Sequence, residues 1–198
     1  MLIGSNNSLT YLNPCCLWLK PLKYLGRCQN IEYDKQYNYW GIRFFDFRLF
    51  VNKHNHIIIK NGTYEYNLFS FYEILDFLDK KGDVSILVTL DTPKGYERLR
   101  QLESIERKFI ETCHAIETIY ENIRFYGGYR RNDKVKLYSF EWEEKNGFPT
   151  IINPSEHSRL YRFVSKWCPC FIGNLNKSYI AKYDNEKGYL LLNYINRR

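Results

Sequence analysis

The stretch "YWGIRFFDFRLFV", residues 39–51, contains the pattern from which the fold of this chain can be argued. β-Branched and aromatic residues dominate it, and apolar positions such as Ile42 and Phe44 recur at every second residue. This period and this composition predict a β-strand. The strand also carries Asp46 and Arg48, which lie two residues apart and therefore on one face. They are the first candidate site residues.

The segments that follow alternate between strand and helix patterns. Residues 56–62, "HIIIKNG", predict a second strand that stops at Asn-Gly. Residues 70–82 predict a helix with Ser70 as its N-cap and an apolar stripe. Residues 83–91, "DVSILVTLD", are almost continuously apolar, which is typical of a strand buried on both faces of a parallel sheet.

The remainder of the chain continues this alternation less regularly. Apolar residues at helical spacing predict a long helix from position 96 to about position 122. A turn is predicted at "YGGYRR", residues 126–131, and a strand at "KVKLYSFEW", residues 134–142. An irregular region containing Pro and Cys follows, before a terminal strand "YLLLNYIN", residues 189–196.

Alternating strands and helices with buried strands predict the α/β class, as a single domain of residues 1–198. The expected architecture is a reduced or distorted (β/α) TIM-type barrel. In such barrels the polar residues at the carboxyl ends of the strands form the mouth of the site. The strand ends here supply Asn6, Asp46, Arg48, Asn61, Asp91 and Asn193.

The composition favours anionic partners and shows no membrane or export segment. The formal net charge of +7 favours phosphates, nucleotides, nucleic acid or acidic lipid headgroups. The 18 Tyr, 13 Phe and 4 Trp reflect either an AT-rich genome or aromatic faces that stack on bases and sugars. Without an export leader or an apolar run of about 18 residues, we expect a cytoplasmic protein with no stable membrane insertion. The six cysteines are expected to be free thiols, and no cofactor is expected.

Four short stretches resemble the X-domain of phosphatidylinositol-specific phospholipase C, the bacterial form more than the eukaryotic one. The family opens with Gly-Thr/Ser-His-Asp/Asn-Ser, and "GSNNSLTYL" stands in that place here. Its second strand reads Gly-[IVA]-Arg-x-[FL]-Asp-Ile-Arg, which "GIRFFDFRL" matches nearly residue for residue. Its third strand ends in His-Gly where this chain has Asn61-Gly62. Its last strand carries Asp-Tyr-Ile where "LLLNYIN" has Asn193.

The resemblance implies that four asparagines occupy the family's proton-transfer positions. By motif, the two His/Asp pairs of the family correspond to Asn6 with Asn193 and to Asn61 with Asn7. In the family these pairs help a neighbouring hydroxyl attack phosphorus, which gives a cyclic phosphate. Asparagine retains hydrogen-bonding capacity but cannot exchange a proton near neutral pH. Because each acid or base contributes roughly 10²- to 10⁴-fold in rate, we expect no useful turnover.

The positions that hold the phosphate are retained in part. Arg48 stands where metal-independent members place an arginine, so the resemblance implies no metal, and calcium is the less favoured alternative. Asp91 departs from the lysine or glutamate of the family, and we expect it to pair with Arg48. Arg130 and Arg131 are candidates for contact with a second phosphate, the alternative for their segment being a solvated turn.

Two hypotheses about function follow. The first is a protein that binds or sequesters a phosphodiester small molecule, with a cyclic nucleotide favoured over an inositol phosphate or lipid and with nucleic acid as a weaker interpretation. The second is an inactivated His-to-Asn form of an active metal-independent phosphodiesterase. The asparagines Asn7 and Asn193 favour the first hypothesis, because deliberate inactivation would need only the two histidines replaced.

Overall fold

The computed structural model describes residues 1–52, 54–66, 71–92, 102–130, 137 and 149–197. Its strands are β1 (Leu2–Ser5), β2 (Phe44–Val51), β3 (Ile57–Asn61), β4 (Tyr64–Tyr66), β5 (Ser85–Leu90), β6 (Arg124–Arg130), β7 (Ile151–Ile152) and β8 (Tyr189–Leu192). Its α-helices are α1 (Lys23–Gly26), α2 (Tyr33–Asn38), α3 (Phe71–Asp79), α4 (Leu102–Ile119), α5 (Pro154–His157), α6 (Arg159–Trp167) and α7 (Ile172–Tyr183). Single 3₁₀ turns cover Leu17–Leu19, Pro169–Phe171 and Ile195–Arg197.

The eight strands form one mixed sheet centred on β2. The order is β4-β3-β2-β1-β8-β7, and β5 pairs with β2 and with β6. The β2–β3 and β3–β4 pairs are antiparallel, and the other pairs are parallel. Every residue of β2 is buried, which explains why its sequence is apolar on both faces.

The two faces of β2 belong to different clusters. Phe45, Phe47 and Leu49 lie in the main apolar core, which also includes α3 and α4. Phe44 faces the other way, into a small cluster with Leu87, Tyr126 and Leu191. Asp46 and Arg48 share the face of Phe44. This face therefore runs from an apolar base to a charged end.

A closed TIM-type barrel is not formed by the described strands. Strands β6 and β7, at two ends of the sheet, do not pair with each other within the described residues. Strand β3 runs antiparallel to β2, whereas the strands of a TIM barrel are all parallel. The strand predicted over residues 134–142 lies outside the described residues except for Leu137. The described residues form a mixed α/β fold with an open sheet.

Most predicted elements are confirmed, although "YGGYRR" was predicted wrongly. Its first five residues belong to β6, and Arg131 lies outside the described residues. Gly127 has φ +99° at a register shift between β5 and β6, and a Cβ there would collide with the carbonyl oxygen of Val88. The glycine therefore permits a bulge within a strand rather than a turn. Ser70, the predicted N-cap of α3, lies outside the described residues.

The region predicted to be irregular contains three helices. Asn153 caps α5 by accepting a hydrogen bond from the Ser155 amide, and Pro154 opens that helix. Ser158 caps α6 in the same way through the Tyr161 amide. These helices lie between β7 and β8 in the chain, and α5 contacts β8. No described helix is both long and apolar enough to cross a bilayer.

Candidate functional site

Arg48 lies at the centre of the predicted site. Its Nε donates to Asp46 Oδ2 at 2.9 Å, and its Nη2 donates to Asn6 Oδ1 at 2.7 Å. Its Nη1 lies 3.4 Å from Asn61 Oδ1. A single guanidinium therefore bridges Asn6, which follows β1, and Asn61, which ends β3.

The amide of Asn6 is fully engaged. Its Nδ2 donates to Asn193 Oδ1 at 2.5 Å and to Ser155 Oγ at 3.2 Å. Its Oδ1 accepts from Arg48 and also from Asn153 Nδ2 at 2.9 Å. Because a guanidinium only donates, the oxygen of Asn6 must face Arg48 and its nitrogen must face Asn193. The structure thus brings together the first predicted asparagine pair.

The second predicted pair does not form. Asn7 is fully buried with φ +43°, and its Nδ2 donates to the carbonyl oxygen of Lys60 at 3.2 Å. Asn61 instead donates to the carbonyl oxygen of Gly26 at 2.7 Å and lies 3.5 Å from Cys28 Sγ. Asn7 thus bonds the backbone of β3 next to Asn61 and not the Asn61 side chain, which sequence position alone does not reveal.

The guanidinium keeps its charge although it is buried. Arg48 and Asp46 are each 2% exposed. Burial alone would lower the pKa of Arg48, but the carboxylate of Asp46, helped by Asp91 and Glu156, holds that pKa above its ordinary value. Asp46 also accepts from the backbone N–H of Asn7 at 2.9 Å. The site therefore contains a fixed ion pair rather than an isolated cation.

The other predicted ligand-binding residues lie farther from this centre. Asp91 follows β5, and its Oδ2 accepts from the Gly62 amide at 3.1 Å, so it acts on Arg48 through its charge. Arg48 forms an ion pair with Asp46. Asp91, the partner expected from the sequence, contributes to the raised pKa of Arg48 through its charge. Arg130 pairs with Glu106 of α4 and does not line either cavity described below. Arg131 lies outside the described residues.

Two cavities open beside Arg48. The larger, of about 300 Å³, is called here the cleft, and its lining includes Asn6, Asn61, Asn193 and Arg48. The smaller, of about 110 Å³, is lined by Asp46 and Arg48 together with residues of β5, β6, β7, α5 and β8. Arg48 lines both cavities.

Sequence reasoning missed the side of the cleft that α5 and α6 supply. Ser155, Glu156, Arg162 and Lys166 line it from these helices, and Arg27 lines it from the chain after α1. Glu156 and His157 also line the smaller cavity. The one available signal was "NPSEHS", in which Asn-Pro marks a helix start. Among the described residues, no group of three or more His, Cys, Asp or Glu could hold a metal ion.

This chain resembles several solved structures. The sequence matches no protein-family model and no curated protein. A histidine-to-tyrosine variant of phosphatidylinositol-specific phospholipase C from Staphylococcus aureus matches with TM-score 0.59 and 15% identity, over 98% of this chain and 84% of that one. A structure of the same enzyme from work on its membrane binding gives TM-score 0.60 and 14% identity, over 98% and 85%. The fold is phospholipase C-like. At these identities the likeness shows the fold alone.

Proposed function

We propose that the protein binds an anionic phosphodiester in the cleft and does not cleave it at a useful rate. The observation that carries this proposal is the arrangement of Arg48 among side-chain amides. A guanidinium has five N–H donors, and the hydrogen bonds above use three of them within the described part of the chain. Two donors, one on Nη1 and one on Nη2, remain for the oxygens of a ligand such as a phosphate.

Proton transfer is what this arrangement lacks. Asn6 and Asn61 hold Arg48 in position through their amide oxygens, but neither they nor Asn193 exchanges protons near neutral pH. A site with these groups stabilises bound charge without activating a nucleophile or a leaving group. Binding or sequestration is therefore the function that fits the residues. We favour a nucleotide-type ligand over an inositol lipid, on the net charge of +7 and the 35 aromatic side chains.

Isothermal titration against three ligand classes tests the binding function: cyclic dinucleotides, inositol phosphates and short RNA. We expect at least one class to bind with an affinity that falls as salt rises. Arg48→Gln should weaken that binding by at least about 1.5 kcal/mol, or roughly tenfold. The variant Arg48→Gln/Asp46→Asn leaves no buried charge unpaired and serves where the single variant folds poorly. Unchanged affinity in both variants would move the ligand away from Arg48.

A hydrolysis assay on the same ligands tests the absence of turnover. Glu156, which lines both cavities, and His157, which lines the smaller one, are the acid–base side chains to replace in this assay. We expect no cleavage above background in the wild-type protein. Cleavage that disappears in Glu156→Gln or His157→Gln would show that the protein is an enzyme with its acid or base on α5.

A further inference from the structure

The cleft carries more positive charge than one phosphodiester requires. Four cationic side chains line it, and Glu156 is the one carboxylate among the lining residues that the structure describes. Arg48, at its floor, is already paired with Asp46. The excess positive charge therefore lies with the other three cations, which we call the basic rim and define as Arg27, Arg162 and Lys166.

Two members of the basic rim come from one face of α6. Arg162 and Lys166 are four residues apart, so they lie one turn above each other. Like charges at this spacing destabilise a helix, and a bound anion would remove that cost. Both side chains are exposed, whereas the adjacent Tyr161 and Ser165 are buried.

The side chains of the basic rim differ in how many of their hydrogen-bond donors have an acceptor within the described part of the protein. Arg162 donates to the carbonyl oxygens of Ser155 and Glu156, which anchors it over α5. Arg27 donates through Nη2 to the carbonyl oxygen of Tyr11 at 3.2 Å, but its buried Nε has no acceptor in the described part of the chain. Lys166 makes no ion pair or hydrogen bond to a described residue. Donors remain at the rim for an external anion.

We propose that the basic rim is a second anion subsite, so that the ligand carries a second phosphate besides the phosphodiester at Arg48. This inference rests on the proposed function, because it places both groups in the same cleft. Cyclic dinucleotides, 5′-phosphorylated dinucleotides and glycerophosphoinositol phosphates share this chemistry. A volume of about 300 Å³ is at the lower end for small-molecule sites, which suits a compact ligand with two anionic groups. The basic rim takes the role of second-phosphate contact that the sequence suggested for Arg130, because Arg130 pairs with Glu106.

Matched pairs of probes that differ by one phosphate test the proposal by titration calorimetry. ApA carries one phosphodiester, pApA adds a terminal phosphate, and cyclic di-AMP carries two phosphodiesters. Glycerophosphoinositol and its 4-phosphate form the corresponding lipid-derived pair. In one of the two series, the two-phosphate probe is expected to bind at least about tenfold more tightly than its one-phosphate partner, the effect of one charge-assisted contact.

Lys166→Gln is the deciding variant, because Lys166 supports no other described contact. It should remove most of the tenfold advantage while leaving the one-phosphate probe almost unchanged. Arg159→Gln is the matched control, since Arg159 is an exposed cation on the same helix that does not line the cleft. Lys166→Glu should reverse the preference between the two probes.

The outcomes separate this proposal from the proposed function. Equal affinity for one- and two-phosphate probes, with both dependent on Arg48, would overturn the second subsite and leave the first intact. An advantage that survives Lys166→Gln, or that is lost equally in Arg159→Gln, would also overturn the basic rim as its source. If no probe in either series binds, the proposed function fails and the second subsite fails with it.

Discussion

The contact between Asn6 and Asn193 allows a direct test of whether proton transfer is what the cleft lacks. We expect Asn6→His/Asn61→His to give weak cleavage of a phosphodiester with a neighbouring hydroxyl, and added Asn193→Asp to increase it. Asn193 Oδ1 lies 2.5 Å from Asn6 Nδ2, so a carboxylate there would meet an imidazole that replaces the amide. It would fix the tautomer of the ring and stabilise its charged form. Since a proton-transfer group contributes roughly 10²- to 10⁴-fold in rate, adding Asn193→Asp should raise the cleavage rate at least about 10²-fold.

The structure provides a matched control at Asn7. Sequence position alone predicts that Asn7→Asp, like Asn193→Asp, raises the rate. In the structure the Asn7 side chain donates to the Lys60 carbonyl oxygen, in a fully buried position. An ionised carboxylate at position 7 has no proton to donate to the Lys60 carbonyl oxygen. Two acceptors would then face each other, at a cost of about 1–3 kcal/mol in stability. We therefore expect Asn7→Asp to add no rate and to lower the denaturation midpoint.

The assay uses ApA, whose 2′-hydroxyl neighbours the phosphodiester, without added metal. Chromatography should detect a 2′,3′-cyclic phosphate and adenosine, with a bell-shaped rate profile near about pH 6 to 7. Equal gains from Asn7→Asp and Asn193→Asp would refute the assignment of partners. No cleavage by the triple variant, folded and with ApA bound, would show that the cleft lacks more than proton transfer.

Two further predictions concern stability. Arg48→Gln leaves the Asp46 carboxylate buried without its cation, so the free energy of unfolding should fall by about 3–5 kcal/mol. The loss should be clearly smaller in Arg48→Gln/Asp46→Asn. If urea denaturation shows that the losses of the two single variants add up in the double variant, the pair is not coupled. Burial and a hydrogen bond to Asp76 raise the pKa of Tyr120 to about 12. The stability that the neutral Tyr120 hydroxyl contributes is therefore complete below about pH 10 and is lost as the pH rises through 12. Tyr120→Phe should show a shallower loss of unfolding free energy over that interval, and an identical slope would contradict the shift.

Strands β2, β3, β5 and β8 were predictable because their patterns are local. The alternation in β2 and the apolar run in β5 determine where the chain must be buried, whatever lies around it. Asn61 was predicted to lie near Arg48 because both were expected at the ends of parallel strands, and this reason is incomplete. Strand β3 runs back along β2, and this reversal, not a parallel strand end, returns Asn61 to the level of Arg48.

The helices of the cleft were not predictable in the same way. In α6 the apolar residues Leu160, Phe163 and Trp167 are exposed, at 56–61%, whereas a periodic pattern would place them inward. The inward positions are Tyr161 and Ser165, whose burial depends on neighbours distant in sequence. Tyr161, for example, donates its hydroxyl to Asn176 and accepts from the amide of Asn193. Hydrophobic periodicity cannot detect a helix that is anchored by hydrogen bonds.

The pairing of β1 with β8 has a consequence for the order in which the cleft can be assembled. Among the described strands, β1 is synthesised first and β8 last, and four residue pairs join them in parallel register. Asn6 therefore meets Asn193 only after a loop of 187 positions has closed, and closure over such a separation is slow. Until then the Asn6 amide lacks its partner and the floor of the cleft is incomplete. Competence to hold a ligand should thus appear late in folding, after β8 has joined β1.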